Sequence, residues 1–361
     1  MRFSLERWGQ EQKMHSGKKT PRVCLIPKLS GLGGMVSFQA KLAGGLVKRG
    51  IEVCYSLKDQ TFDAILVIGG TRELLDLSKA RRAGIRIIQR LDGMNWLHRR
   101  TRTGIKHYLR AEYGNFILRT IRFRLADYIV YQSEFSHRWW ERECGPTRAG
   151  SSVILNGVDL NVFSPVGPAE RPVDHYRILL VEGTLGGGYE VGLETAVQLG
   201  QILSTSGLEF PLEIAVAGRV RAELQEQWVK RSLVPVTFLG QIPHEKIPQL
   251  DRSAHLLYSA DLNAACPNSV VEALACGLPV VAFDTGALPE LVKGDAGRIA
   301  RYGGNPWRLD SPDIDALANA SEEILRGQNR FREGARRRAE ESLNLDAMVE
   351  SYVEVLLGRD R

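Results

Sequence analysis

The stretch that decides the fold is NAACPNSVVEALACGLPVVAFDTGALPELV, residues 263–292. A loop runs up to Pro267, and a helical run from Asn268 carries Val270, Val271, Ala273 and Leu274 before Cys276–Gly277 stops it. Pro279 then opens the run PVVAFD (279–284), which is continuously apolar rather than alternating. That pattern suits a parallel strand buried on both faces. A second loop, 284–289, precedes Glu290. Helix, buried strand and loop in this order is the rhythm of an α/β sheet with crossover connections.

The same rhythm extends outward in both directions. Upstream, RILLVEG (177–183), LEIAVAG (212–218), VTFLG (236–240) and HLLYSA (255–260) read as strands, with helices at 190–206 and 268–277. A separate series begins earlier with RVCLIP (22–27), followed by KLSGLGG and a helix that ends at Gly50. IEVCYS (51–56), FDAILVIGG (62–70), IRIIQRL (85–91), DYIVYQS (127–133) and SVILNG (152–157) complete it. Between the two series, FSPVGPAERPVDHY (163–176) holds three prolines and no periodicity, which marks a linker. The expected organisation is a basic tail at 1–20, one doubly wound domain at 21–165 and a second at 166–340. A C-terminal helix at 341–361 could return to the first domain. In such sheets ligands bind outside the carboxyl ends of the strands, so two facing domains would share a cleft.

Length agrees with two domains, since 361 residues exceed what one core usually serves. Residues 1–170 hold 28 Lys/Arg against 15 Asp/Glu, whereas the remainder holds 20 against 27. Halves of opposite sign suggest different partners. The five cysteines are scattered, with no CxxC and no zinc-type pairing, so a reduced cytosolic setting and no metal are expected. The first residues, MRFSLERWGQEQKMHSGKK, have no apolar core of a secretory signal, and no run approaches a membrane span.

The start of the helix at Asn268, with Ser269 beside it, offers unpaired N–H groups and the positive end of a dipole, suited to phosphate. Glu272 lies one turn further in, where a carboxylate can accept two hydroxyls, as from a ribose. The plainer reading has Asn268 as a cap and Glu272 as a solvated acid.

The quoted segment resembles the C-terminal-domain signature of retaining GT-B glycosyltransferases of family 4, the glycosyl transferases group 1 family. SSVILNGVDLNVFSP (151–165), ADYIVYQSEFSHRWW (126–140) and SGLGGMVSFQAKLAGGLVKRGIEV (30–53) resemble further segments of that family, in its order. The resemblance implies an α/β GT-B fold, two Rossmann-like domains facing a central cleft, with the acceptor in the first and the nucleotide-sugar donor in the second. It implies sugar transfer from a UDP- or GDP-sugar with retention, and no required metal or other cofactor. Carried over are Gly33 and Gly34 for approach to donor phosphate and Glu272 for the ribose. Gly183 and Gly218 belong to donor-facing loops.

Departures accompany the resemblance. The family's first glutamate falls on Ala264, and its Gly-x-Gly element on Ala265, Cys266 and Pro267. Asp261 or Asn263 could reach the sugar only by a different loop path. The diphosphate-holding Arg and Lys fall on Thr184 and Tyr189. The glycine run 186–188, with Gly187 at its centre, could form a backbone anion nest instead, and Arg219 is a substitute cation. These losses favour the rival reading, a degenerate GT-B protein that binds a nucleotide-sugar or glycan without turnover. A hydrolase or epimerase on the same fold is a further rival.

In RLDGMNWLH (90–98), Asp92 follows a strand and is the candidate for a sugar-hydroxyl acceptor or general base, against a plain Asp-Gly turn. His98 is expected at the surface, and Asn156 is expected to hold the hinge turn. Between Arg99 and Arg124 lie eight Lys/Arg and one acid, Glu112, interleaved with aromatic and aliphatic residues. That stretch reads as a contact to an anionic membrane surface, which would make the protein cytoplasmic and peripheral on the inner face, as a site for an anionic acceptor, or as a solvated helix. No nucleic-acid motif accompanies it, so nucleic acid is not expected as a partner. Donor sugar, acceptor and oligomeric state are not legible.

Overall fold

A computed structural model describes residues 20–358 except 32, 60, 103 and 186–189. The expected tail, apart from Thr20, and Gly187 lie outside the described residues. Two parallel six-stranded sheets carry the fold. The first contains β1 (Arg22–Ile26), β2 (Glu52–Cys54), β3 (Ala64–Ile68), β4 (Arg86–Leu91), β5 (Tyr128–Tyr131) and β6 (Gly150–Val153), in the order β2-β1-β3-β4-β5-β6. The second contains β7 (Tyr176–Thr184), β8 (Leu212–Arg219), β9 (Val236–Gly240), β10 (Leu256–Ser259), β11 (Val280–Phe283) and β12 (Gly297–Ala300), in the order β12-β11-β10-β7-β8-β9.

Burial follows position in the sheet. Every residue of β3, β10 and β11 is buried, because these strands have neighbours on both edges and helices on both faces. The edge strand β9 alternates half-buried and exposed residues instead. Two differences from the sequence reading stand out. The strand β12 was not expected, since GRIA holds too few β-formers to announce itself. It forms because Val280–Phe283 of β11 supplies a ladder for it. The strand expected at 152–157 lies at Gly150–Val153, because the chain after Ile154 turns away toward the second sheet.

The last helix, Leu345–Leu357, packs on the first sheet's side, against helix Gly34–Lys48. Met348, Val349, Tyr352 and Leu356 are buried there, and the rings of Phe38 and Tyr352 lie 5.2 Å apart. Burying each such side chain is worth roughly 1.5–3 kcal/mol. The chain therefore passes between the two sheets twice, and the two passages touch. Val158 N–H donates to the Leu343 carbonyl (2.8 Å), and Leu345 N–H donates to the Val158 carbonyl (3.0 Å). Gly157 permits this contact: a Cβ there would come within 2.8 Å of Leu345 Cα.

Candidate functional site

Two helix starts face each other where the sheets meet. The first is Gly34–Lys48, preceded by Gly33, which sits at a φ of 129° where a side chain would be strained. The loop leading into it is fixed by buried Gln39, whose side chain accepts from Leu29 N–H (2.8 Å) and donates to the Pro27 carbonyl (2.8 Å). The second is Asn268–Ala275. A Cβ on Gly34 would stand 3.6 Å from Asn268 Nδ2, an ordinary contact that places the two starts side by side.

Asn268 does not cap its helix. It is the first helical residue, Pro267 precedes it, and no side chain closes that end. The Asn268 Oδ1 instead accepts from Asn156 Nδ2 (3.0 Å), which also donates to the Cys266 carbonyl (2.9 Å). Buried Arg90 completes the chain by donating to Asn156 Oδ1 (2.8 Å). Asn156 thus joins the end of the first sheet to the loop before the second helix. The first N–H groups of that helix point outward with its positive dipole end, next to half-buried Ser269.

One turn along, Glu272 is 5% exposed and far from solvated. Its Oε1 accepts from Lys41 Nζ at 3.1 Å and from His244 Nε2 at 3.0 Å. Lys41 comes from helix Gly34–Lys48, so this ion pair spans the two halves. Burial alone would raise the Glu272 carboxyl, but the His244 hydrogen bond and the Lys41 charge prevail and hold it below the ordinary value. Among the described residues no group bonds Oε2.

The other expected donor-side residues line the rim of the second sheet. Gly183 is exposed at the end of β7. Gly218, at the end of β8, is buried, and a Cβ there would lie 2.1 Å from the Glu182 carbonyl. Its absence of a side chain therefore serves strand packing. Arg219 is exposed and donates to Gln241 Oε1 (3.0 Å).

The loop after β10 is tied to its neighbour. Asn263 adopts a left-handed φ of 57°, and the Ala264 carbonyl accepts from Ala287 N–H (2.8 Å), tying this loop to the one after β11. Three buried polar atoms at these strand ends, Ser259 Oγ, Asn263 Nδ2 and Thr285 Oγ1, have no partner among the described residues. Beside them, burial raises the Asp261 carboxyl to about 6 and lifts Glu182 well above its usual range, with Asp261 pushing it further.

Across the cleft, Asp92 follows β4. Its carbonyl accepts from Trp140 Nε1 (2.7 Å) and Ser136 Oγ (3.2 Å), which fixes the backbone. Burial raises its carboxyl, and Arg90 opposes the rise. A second seam between the halves forms nearby. Trp307 packs on Trp96 (5.1 Å) and Trp139 (4.8 Å). A pocket lined by Trp96, Leu97, Thr195, Tyr258, Phe283 and Tyr302 opens next to it. Glu290 closes the seam from the second half, accepting from Glu134 N–H (2.8 Å) and Phe135 N–H (2.6 Å).

The basic stretch 99–124 is not one uniform face. His98 is buried rather than at the surface, with Nε2 2.7 Å from Glu112 Oε1. Arg99 pairs with both oxygens of the same carboxylate (2.6 and 2.9 Å). That bonding, with His98, drives the Glu112 carboxyl down to about 2. Arg122 is buried against Tyr131 (3.2 Å) and is unavailable to a partner. Exposed residues remain along helix Ile105–Arg124 and just before it. Ile105 (71% exposed), Leu109 (61%) and Phe116 (60%) form an apolar ridge, with Arg102, Lys106 and Arg110 exposed beside it.

Sequence reasoning missed Lys41, His244 and the part played by Glu290. Lys41 had one readable signal, as the only cation among Phe38, Leu42 and Gly45 on the inner face of its helix. His244 had none, because its partner is 28 residues away. Among the described residues no three His, Cys, Asp or Glu side chains gather to hold a metal, and no helix is long and apolar enough to cross a membrane.

Residues 187–342 match the family described as Glycosyl transferases group 1. Over 229 residues the chain is 33% identical to the GDP-mannose-dependent alpha-(1-6)-phosphatidylinositol dimannoside mannosyltransferase of Mycobacterium tuberculosis, covering 59% of this chain and 53% of that protein. The chain thus spans about half the length of that relative. Sucrose-phosphate synthase from Thermosynechococcus elongatus superposes with a TM-score of 0.69 at 18% identity, over 93% of this chain and 98% of that one. Anabaena HepE, solved with UDP-glucose, superposes with a TM-score of 0.62 at 15% identity, over 92% and 98%. The fold is GT-B, two α/β halves as the sequence resemblance implied. The group 1 match and the mannosyltransferase likeness support a glycosyltransferase, and the solved neighbours share its fold.

Proposed function

We propose that the protein transfers a sugar from a nucleotide-diphosphate donor to an acceptor with retention of configuration and without a metal, in the manner of family 4 enzymes. The observation that carries the reading is Glu272: a buried, ionised carboxylate with one oxygen held by Lys41 and His244 and the other unclaimed. It stands four residues, about 6 Å of helix rise, from the open N-terminus at Asn268. A diphosphate at that N-terminus puts its ribose hydroxyls beside Glu272 Oε2. GDP-mannose in the mycobacterial relative's name and UDP-glucose in the HepE structure support a UDP- or GDP-sugar as the donor class.

The sugar then lies toward the loops after β10 and β11, where Ser259, Asn263 and Thr285 offer unpaired polar atoms. Arg219 takes the diphosphate in place of the two missing cations. In the transfer, the anomeric carbon–oxygen bond to the diphosphate breaks and a bond to the acceptor hydroxyl forms on the same face. The acceptor proton passes to the departing phosphate oxygen. Asp92 holds a sugar or acceptor hydroxyl. The ridge at Ile105, Leu109 and Phe116 with Arg102, Lys106 and Arg110 docks the first half on an anionic membrane at its cytoplasmic face, where a lipid-linked acceptor would be presented.

The test is thermal stabilisation by UDP-, GDP- and ADP-sugars, repeated with Glu272→Ala. Stabilisation that disappears in the variant supports the site; no stabilisation of the native chain by any of them overturns it. Ala264 and Thr184 favour a second reading, binding without turnover, which predicts stabilisation with no nucleoside diphosphate released on any acceptor.

A further inference from the structure

Lys41 belongs to no motif that the fold or the family match accounts for, yet it makes one of the few ion pairs that cross between the two halves. Its side chain is 14% exposed and that of Glu272 is 7% exposed. A pair this enclosed surrenders most of its hydration, so it is weak evidence for a stabilising role. Its geometry is informative in another way. Lys41 Nζ lies 3.1 Å from Glu272 Oε1 and 3.5 Å from the Gly157 carbonyl, while His244 approaches the same Oε1 from the other side. Both donors engage one oxygen and leave Oε2 without a partner among the described residues.

A direct phosphate contact is the obvious alternative for a lysine here, and position argues against it. Lys41 is seven residues from Gly34, about 10 Å of helix rise from the end where the helix starts converge. It sits level with Glu272, and its protons already point at that carboxylate and at Gly157. The two carboxylate partners also differ in origin: His244 shares the second half with Glu272, whereas Lys41 arrives from the first. The carboxylate is therefore completely oriented only when the halves are together.

We infer that Lys41 is a positioning residue for the nucleotide ribose, presenting Glu272 Oε2 to the ribose hydroxyls and doing so only in the closed arrangement. The inference rests on the donor-site reading of Glu272. It makes ribose recognition and closure favour each other, since a ligand that gains from the oriented carboxylate stabilises the state that supplies Lys41.

The experiment titrates GDP and UDP, and their 2′,3′-dideoxy counterparts, into the native chain, Lys41→Met and Lys41→Arg by calorimetry, with thermal unfolding as a check on folding. Lys41→Gln replaces the Met variant if that one fails to fold. The native chain binds a ribonucleotide more tightly than its dideoxy form. Lys41→Met weakens the ribonucleotide about tenfold, the scale of one charge-assisted hydrogen bond, and leaves the dideoxy affinity unchanged. Lys41→Arg recovers most of the loss. Equal weakening of both forms overturns the inference in favour of a phosphate or general closure role, and an unchanged ribonucleotide affinity overturns it outright. In both cases the donor-site reading stands, because the native chain binds. If the native chain binds neither GDP nor UDP, the donor-site reading falls and this inference falls with it.

Discussion

Glu290 of the second half holds Phe135 of the first: its Oε1 accepts from the Phe135 N–H at 2.6 Å, and its Oε2 accepts from the Glu134 N–H at 2.8 Å. These are the first two N–H groups of helix Glu134–Cys144, which have no partner within their own helix. A carboxylate at a helix N-terminus also meets the positive dipole end. Glu290→Ala should open the molecule. Small-angle scattering would show a larger radius of gyration for the ligand-free variant, with unfolding cost in the range of a lost cap, about 1 kcal/mol. An unchanged scattering curve would assign closure to the remaining contacts, the Trp307 seam and the Lys41–Glu272 pair.

Gly157→Ala should destabilise the chain by about 1–3 kcal/mol, because the added methyl meets Leu345 Cα and the Asn344 carbonyl, which are backbone atoms that cannot step aside. Chemical denaturation reads this directly. Gly50→Ala fails for a different reason, its left-handed φ of 72°, with no atom in the way, and serves as the contrast.

His255 makes stability depend on pH. Burial, helped by Arg171 and Arg332, lowers its imidazole to about 4. Below the ordinary histidine range, the unfolded chain takes up a proton that the folded chain refuses. Stability therefore falls as pH drops from about 6.5 toward 4 and this contribution levels off below that. His255→Gln, whose amide oxygen can still accept from the Arg177 N–H that Nδ1 now takes at 3.0 Å, should flatten the melting temperature across that window. A curve as steep as the native one would place the effect elsewhere.

Membrane docking predicts sedimentation with vesicles of anionic phosphatidylserine and phosphatidylcholine, weakened by salt. Replacing Arg102, Lys106 and Arg110 by Glu should abolish it, since each cation near such a surface contributes about 1 kcal/mol. Arg122→Gln should instead lower stability without a specific loss of vesicle binding, because that side chain is inside. Binding that survives the triple change would mean that another face meets the lipid.

What the sequence revealed divides along a physical line. Strands such as Val236–Gly240 were legible to the residue, because local composition and bounding turns decide them. Gly297–Ala300 was not, because its partner β11 decides it. Glu272 could be placed one helical turn from Asn268 by counting. Its buried state could not, since Lys41 is 231 residues away in sequence. Arg122 looked like its neighbours because a run of cations does not say which of them faces inward. The turn at Asn263 and the Ala287 contact that ties its loop to the one after β11 had no local signal.

The paired passages at Val158 and Leu345 set how the protein can move. A single connecting strand would let one half swivel and twist freely. Two strands, hydrogen-bonded to each other and crowded at Gly157, act like the two knuckles of a door: they permit swing about one line and resist torsion about any other. Lys41 and Glu272 form one contact between the halves, and Glu290 and Trp307 mark another. Each opening and closing would then return Lys41 to the same carboxylate oxygen, without a search through misaligned arrangements.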